Sequence, residues 1–271
     1  MTPSTGPQRW TLPDLPGALA WCSERADEGI RGILHPLREF AQTEQEALDN
    51  AGAYMTCAAA IADAGLDASV AVKPTAIGIS SDRDRATEVF VTILEACAGL
   101  GVPVECDMEG APMVPATVRM ALSAAEQGHL FTITLQSYLT RTPEDIAHST
   151  GSGLTVRLVK GAYLGDIRNR EEIRSAYRTH LLLLARQQPR FRIGTLDRSL
   201  IRWAQETFPE ARARMEFGFL KGIGERTAVQ MAGDGWRVAQ YIPYGNDTSS
   251  YTRRREIYLN LLARVGEAPL N

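Results

Sequence analysis

Short β-rich runs alternate with longer helical runs along nearly the whole chain, and this alternation constrains the fold more than any single motif. "IRGILHPLREF" (30–40) opens with a strand-like run, and "TEQEALDNAGAYMTCAAAIADAG" follows as an Ala-rich helix. Thr43 is its expected N-cap, with Glu46 completing a capping box. "SVAVKPTAIGI", "VPVECDM", "LFTITLQSYL", "LTVRLVKGAY", "RFRIGTL", "ARMEFGFLKG" and "WRVAQYIPYG" read as further strands. Each precedes a helical run, from "SDRDRATEVFVTILEACAGLG" through "TPEDIAHST", capped by Thr142, to "SYTRRREIYLNLLARV" at the end. About eight strand–helix pairs in about 240 residues predict parallel βαβ units closed into a (βα)₈ TIM-type barrel. A doubly wound open sheet is the alternative, but its GxGxxG turn is missing: "GSG" at 151–153 precedes a strand. Residues 1–24 read as a polar, Pro-rich lead-in and 25–271 as one barrel domain.

Composition narrows the function. The formal net charge of −3 and an acidic isoelectric point argue against nucleic acid as a partner. No run of about 18 apolar residues exists, so membrane contact would be peripheral at most. The beginning of the chain has no basic–apolar–small secretory pattern. Cys22, Cys57, Cys97 and Cys106 are widely spaced with no CxxC, which reads as reduced thiols in a cytoplasmic protein. His35, His129, His148 and His180 show no metal-binding spacing, so no metal is expected.

A barrel gathers its chemistry at the C-terminal ends of its strands. The polar residues there are Glu39, Lys73, Asp107, Glu109, Gln136, Tyr138, Arg157, Lys160, Thr195 and Tyr241. Each also has a plain structural reading: Lys73 a solvated strand end, Asp107 a helix cap, Gln136 a backbone contact, Arg157 a structural ion pair. "RRR" at 253–255 would ordinarily be a solvated helix face. Yet Tyr251, Arg254 and Arg255 stand at i, i+3 and i+4 and share one face, while Arg253 points elsewhere. Two guanidiniums beside a phenol suit a carboxylate, which they can grip bidentately.

"VAVKPTAIGI", "VECDMEG", "TLQSYLTRTPEDI", "LTVRLVKGAY" and "YIPYGNDTSSYTRRR", in this order, resemble the flavin-dependent proline dehydrogenase family, most closely its short monofunctional members. The resemblance implies a distorted (βα)₈ barrel with FAD at its C-terminal face. It assigns the substrate carboxylate to Lys73, Arg254 and Arg255, the walls around the substrate ring to Tyr241 and Tyr251, and the active-site aspartate to Asp107. Glu39 would pair with an arginine of the last helix. Gln136, Arg157, Lys160, Gly161, Ala162, Thr195 and Asp197 would meet the flavin. The implied reaction is oxidation of L-proline to 1-pyrroline-5-carboxylate, with electrons passed to a quinone or another acceptor. Lys73 and the arginines would make the site positive and so favour loss of the substrate's ammonium proton. Departures fall at Leu196, Gly218 and Tyr258, where the family pattern has a histidine, a glutamine and a glutamate, and at Thr248–Ser249–Ser250, which replaces a bulkier segment. They keep open two other functions: oxidation of a different carboxylate-bearing amine, and a flavin-less amino-acid-binding barrel. A one-residue gap would shift the arginine pair to Arg253 and Arg254.

Overall fold

The computed structural model describes residues 9–270; residues 1–8 of the expected lead-in, and Asn271, lie outside them. Eight parallel strands close into a barrel in chain order: β1 (Ile30–Pro36), β2 (Ala68–Val72), β3 (Val104–Cys106), β4 (Thr132–Gln136), β5 (Thr155–Val159), β6 (Phe191–Gly194), β7 (Met215–Leu220) and β8 (Arg237–Tyr244). The helices are α1 (Leu15–Asp27), α2 (Glu44–Asp63), α3 (Arg83–Gly99), α4 (Val114–Glu126), α5 (Thr142–Gly151), α6 (Arg170–Gln187), α7 (Arg198–Thr207), α8 (Glu225–Gly233) and α9 (Ser249–Arg264). Among the described residues, no helix is long and apolar enough to cross a membrane.

Local chemistry explains most boundaries. The Thr43 hydroxyl accepts the Glu46 N–H at 3.1 Å, as a cap should. The return bond of the box lands one residue early, the Glu46 carboxylate accepting from the Gln42 N–H at 2.6 Å. α2 then buries Ala47, Ala51, Tyr54, Ala58 and Ile61, one face at helical spacing. Thr142 is not a cap. It is the first residue of α5, and its hydroxyl donates to the Gln136 carbonyl at 2.5 Å, tying the helix start to the end of β4. α1 is a helix where the sequence suggested only a lead-in. It buries just Ala18 and Cys22, so it carries almost no apolar periodicity, and its start is fixed by Asp14 accepting the Gly17 N–H.

The chain resolves into two compact units. One comprises the residues up to Leu37, Leu66–Ala68 and the residues from Thr195 on; the other comprises Arg38–Gly65 and Ser69–Gly194. In the first, β1 and β8 run in register from Ile30↔Val238 to Pro36↔Tyr244, and β7 pairs with the other edge of β8. In the second, β2 to β6 pair successively.

Both units carry ions where a barrel interior usually holds Val, Ile and Leu. Arg31 on β1 reaches across β8 to grip Glu216 on β7 with two bonds of 3.0 Å. Glu105 on β3 is fully buried; it accepts from Ser69 at 2.6 Å and Arg192 at 2.7 Å and is paired with Arg157. Buried carboxylates persist only with such partners. All four cysteines are buried. Burial pushes the thiols of Cys22 and Cys97 up to about 11, and that of Cys106 well above its ordinary value.

Candidate active site

Lys73 is the residue immediately after β2, and Asp107 the residue immediately after β3. The Lys73 ammonium lies 3.6 Å from Asp107 Oδ2 and 3.7 Å from Glu39 Oε1, charge contacts slightly too long for hydrogen bonds. Burial acts to lower its pKa, but the electrostatic influence of Tyr163, Asp107, Glu109 and Glu39 outweighs burial and raises it, so Lys73 stays protonated. Glu109 takes both the N–H and the hydroxyl of Thr75, at 2.8 and 2.7 Å. The Thr75 hydroxyl also accepts the N–H of Phe40, which adopts the left-handed conformation at φ 55°. Thus Glu109 fastens the Lys73–Pro74–Thr75 turn to the segment bearing Glu39. Burial raises the Glu109 carboxyl against the pull of Lys73 and Thr75.

Lys73 thus stands between the carboxylates of Glu39 and Asp107, and its charge is met within its own unit.

In the same unit, the Gln136 amide donates to the Glu109 carbonyl at 2.8 Å and accepts the Tyr138 hydroxyl at 2.6 Å. The Tyr138 ring lies against Gly161 and Gly165, where an added Cβ would come within 1.7 and 2.0 Å of it. Gly161 also has φ +127°, so glycine is required there on both counts. Lys160 is half-buried and Ala162 exposed. Arg157 is paired with Glu105.

In the other unit, Tyr241 lies on β8 and Tyr251 on α9; their rings stack at 6.3 Å with an interplanar angle of 6°. The Arg255 guanidinium sits 4.4 Å over the Tyr251 ring, as the i, i+4 spacing predicts. Arg254 and Arg255 are half-buried and Arg253 is exposed, which favours the Arg254–Arg255 register. Thr195 and Asp197 form a cap: the Thr195 hydroxyl accepts the Asp197 N–H, and Asp197 Oδ1 accepts from the Ser199 N–H and hydroxyl to start α7. Leu196 packs beside Tyr258, whose hydroxyl donates to the Leu196 carbonyl at 3.3 Å.

The family model described as Proline dehydrogenase matches residues 18–180, more than half of the chain. The chain belongs to the proline dehydrogenase family. Proline dehydrogenase 1 of Bacillus subtilis subsp. natto is 28% identical over 234 residues, spanning 84% of this chain and 78% of the relative. Proline dehydrogenase 2 of Bacillus subtilis (strain 168) is 26% identical over 235 residues, with the same coverage. The proline dehydrogenase of Deinococcus radiodurans is 26% identical over 242 residues, spanning 84% of this chain and 77% of the relative. Among solved structures, proline utilization A from Bdellovibrio bacteriovorus, inactivated by N-propargylglycine, superposes with a TM-score of 0.82 at 19% identity. It covers 92% of this chain, which spans only 32% of that longer protein. Proline utilization A from Corynebacterium freiburgense gives 0.76 at 19% identity, over 92% of this chain and 31% of its own. At such identities these structures attest the barrel alone.

For a proline dehydrogenase family member, the relevant test is whether the residues expected to meet a flavin are suited to it. Glu105 pairs with two guanidiniums, Arg157 and Arg192, and so fixes Arg157 on β5. A guanidinium held there suits a ring that gains electrons. Gln136 retains a second N–H and a second carbonyl lone pair. Gly161 and Gly165 let the backbone of 160–165 lie directly against the Tyr138 ring. These residues fit the ring end of a flavin. Asp197 is spent on its helix cap. Sequence reasoning missed Glu105 and Arg192, because their partners stand on other strands.

Proposed function

We propose that this member of the proline dehydrogenase family oxidises L-proline to 1-pyrroline-5-carboxylate with FAD as its cofactor. The observation that carries the reading is the Tyr241–Tyr251–Arg255 stack, an aromatic wall topped by a guanidinium, in a chain of this family. Arg254 and Arg255 take the substrate carboxylate, bidentate pairing fixing the ring's orientation. Such orientation lowers the barrier by holding the reacting C–H bond in one place. Tyr241 and Tyr251 exclude water from the ring. Asp107 and Glu39, sharing Lys73, hold the substrate ammonium, and one of the two carboxylates takes its proton, since only the neutral amine has a lone pair to stabilise the oxidised carbon. Gln136, Arg157, Lys160, Gly161, Ala162 and Thr195 would hold the cofactor. When bound, FAD supplies the two-electron acceptor. Buried, protonated thiols support placing the protein in the cytoplasm.

A second reading, oxidation of a different carboxylate-bearing amine, draws on Tyr258 and Leu196, which are bonded to each other where the family pattern has polar residues. One experiment separates the two. The purified protein is expected to show flavin absorbance that bleaches when L-proline is added without oxygen. A flavin spectrum that proline leaves unchanged favours the second reading. Arg254→Ala and Arg255→Ala are each expected to raise KM by about 10- to 100-fold with flavin retained. Unchanged kinetics in both would remove the carboxylate grip.

A further inference from the structure

Resting on the proline reading above, we propose that Trp10 is a wall of the substrate pocket and that its indole N–H is a third donor to the substrate carboxylate, beside Tyr251 and Arg255. Residues 9–12 precede the first helix, in the part of the chain that the sequence assigned to a lead-in. They are clamped at both ends. Arg9 Nε donates to the Gly222 carbonyl at 3.0 Å, and Lys221 Nζ donates to the Arg9 carbonyl at 3.0 Å. The Leu12 N–H donates to Pro243 and the Leu12 carbonyl accepts from Gly245, both at 2.9 Å, so Leu12 bridges to Tyr244 as a single parallel strand residue. Gly222 has φ +81°, and a Cβ there would come within 2.5 Å of the Arg9 carbonyl and 2.8 Å of the Trp10 ring. This crossing therefore depends on a glycine. The anchors lie just past the C-terminal end of β7 and at that of β8, where barrel enzymes keep their chemistry.

Between the clamps, Trp10 is buried in one apolar cluster with Leu37, Ile223 and Tyr251, and Tyr241 packs against that cluster. Both expected walls of the substrate ring thus share a cluster with an indole from the other end of the chain. Trp10 Nε1, Tyr251 Oη and Arg255 Nε are all buried without a hydrogen-bond partner. Indole and guanidinium can only donate, and leaving buried donors unmet is costly enough that native proteins keep few of them. Three such groups on side chains that touch one cluster call for an acceptor with several lone pairs, and a carboxylate has about four lone-pair sites.

The test uses the flavin-loaded protein and two competing ligands: cyclopentanecarboxylate, which keeps the carboxylate, and pyrrolidine, which keeps only the amine. Trp10→Phe preserves an aromatic ring and removes the N–H. It is expected to weaken cyclopentanecarboxylate binding about tenfold while pyrrolidine binding stays within about twofold. Equal binding of cyclopentanecarboxylate by wild type and variant would overturn the assignment. If the variant does not fold, the wild type labelled with ¹⁵N-tryptophan still decides, with four indole N–H signals from Trp10, Trp21, Trp203 and Trp236. One signal is expected to shift with cyclopentanecarboxylate and stay put with pyrrolidine. If none shifts although the ligand binds, water or nothing meets the indole, and the proposal fails alone. If the wild type binds neither ligand, the proline reading fails and takes this one with it.

Discussion

Replacing Lys73 by methionine removes the cation from a buried acidic cluster and leaves its bulk largely in place. The Lys73 side chain is 6% exposed, Glu39 7% and Asp107 15%, so water screens the charges poorly. At 3.6 and 3.7 Å, each contact is worth about 4–5 kcal/mol at an effective dielectric constant of about 20. Burying the ammonium opposes much of that gain, and breaking buried pairs of this kind costs about 3–5 kcal/mol net. Lys73→Met is therefore expected to lose about 3–5 kcal/mol at pH 7, read as a lower urea midpoint at unchanged slope. The loss is expected to shrink as pH falls. Burial already raises the Glu109 pKa, and Lys73 restrains it together with Thr75; without the cation, it rises further. A carboxyl whose folded pKa lies above its unfolded value binds more protons in the native state, so stability recovers as pH drops through the folded value. Asp107→Asn supplies the cross-check, costing stability beside Lys73 and restoring it beside Met at the same position. A loss below about 1 kcal/mol at pH 7, with additive double-variant effects, would refute the argument.

Two further outcomes follow from the packing. Gly161→Ala is expected to destabilise by at least about 2 kcal/mol, through strain at a positive φ and the clash with Tyr138, and Tyr138→Ala should relieve part of it. Thermal melts of the three variants check this, and a Gly161→Ala protein as stable as wild type would contradict the geometry. His180, buried on α6 with Nδ1 lacking a partner, is held below its usual pKa of 6.5 by burial. Below 6.5 the unfolded chain takes a proton that the native state refuses, so stability falls on acidification by at most about 1.4 kcal/mol per pH unit. His180→Phe should flatten that slope between pH 6.5 and 5.5, and urea midpoints that still fall as steeply would count against it.

The sequence carried the strand order because each strand is bounded by turn residues and followed by a helical run. It also carried the Tyr251–Arg255 contact, which depends only on helical spacing. Where two distant segments meet, the sequence was silent. Ser69 lies 36 residues from Glu105 and Arg192 lies 87, so no local pattern announces that buried network. Lys73 looked like a lone cation for the same reason: its acidic neighbours arrive from two other connections. α1 hid because it buries only small residues, and Trp10 because nothing in "RWTL" shows that the segment is pinned beside β8. Thr142 misled because a threonine in the first turn and a threonine at the cap read alike, until its hydroxyl is seen to bind Gln136.

The cysteines give the molecule a built-in clock for its own opening. Cys22 lies on α1 in one compact unit; Cys57, Cys97 and Cys106 lie in the other. The thiolate is the form that alkylating reagents attack, and these sulfurs are kept out of water. A brief pulse of such a reagent, weighed on a mass spectrometer, counts how many sulfurs have been uncovered. Molecules bearing no label or four labels mean that the chain opens in one event; a population bearing a single adduct on Cys22 would mean that the surroundings of α1 open before those of the other three sulfurs.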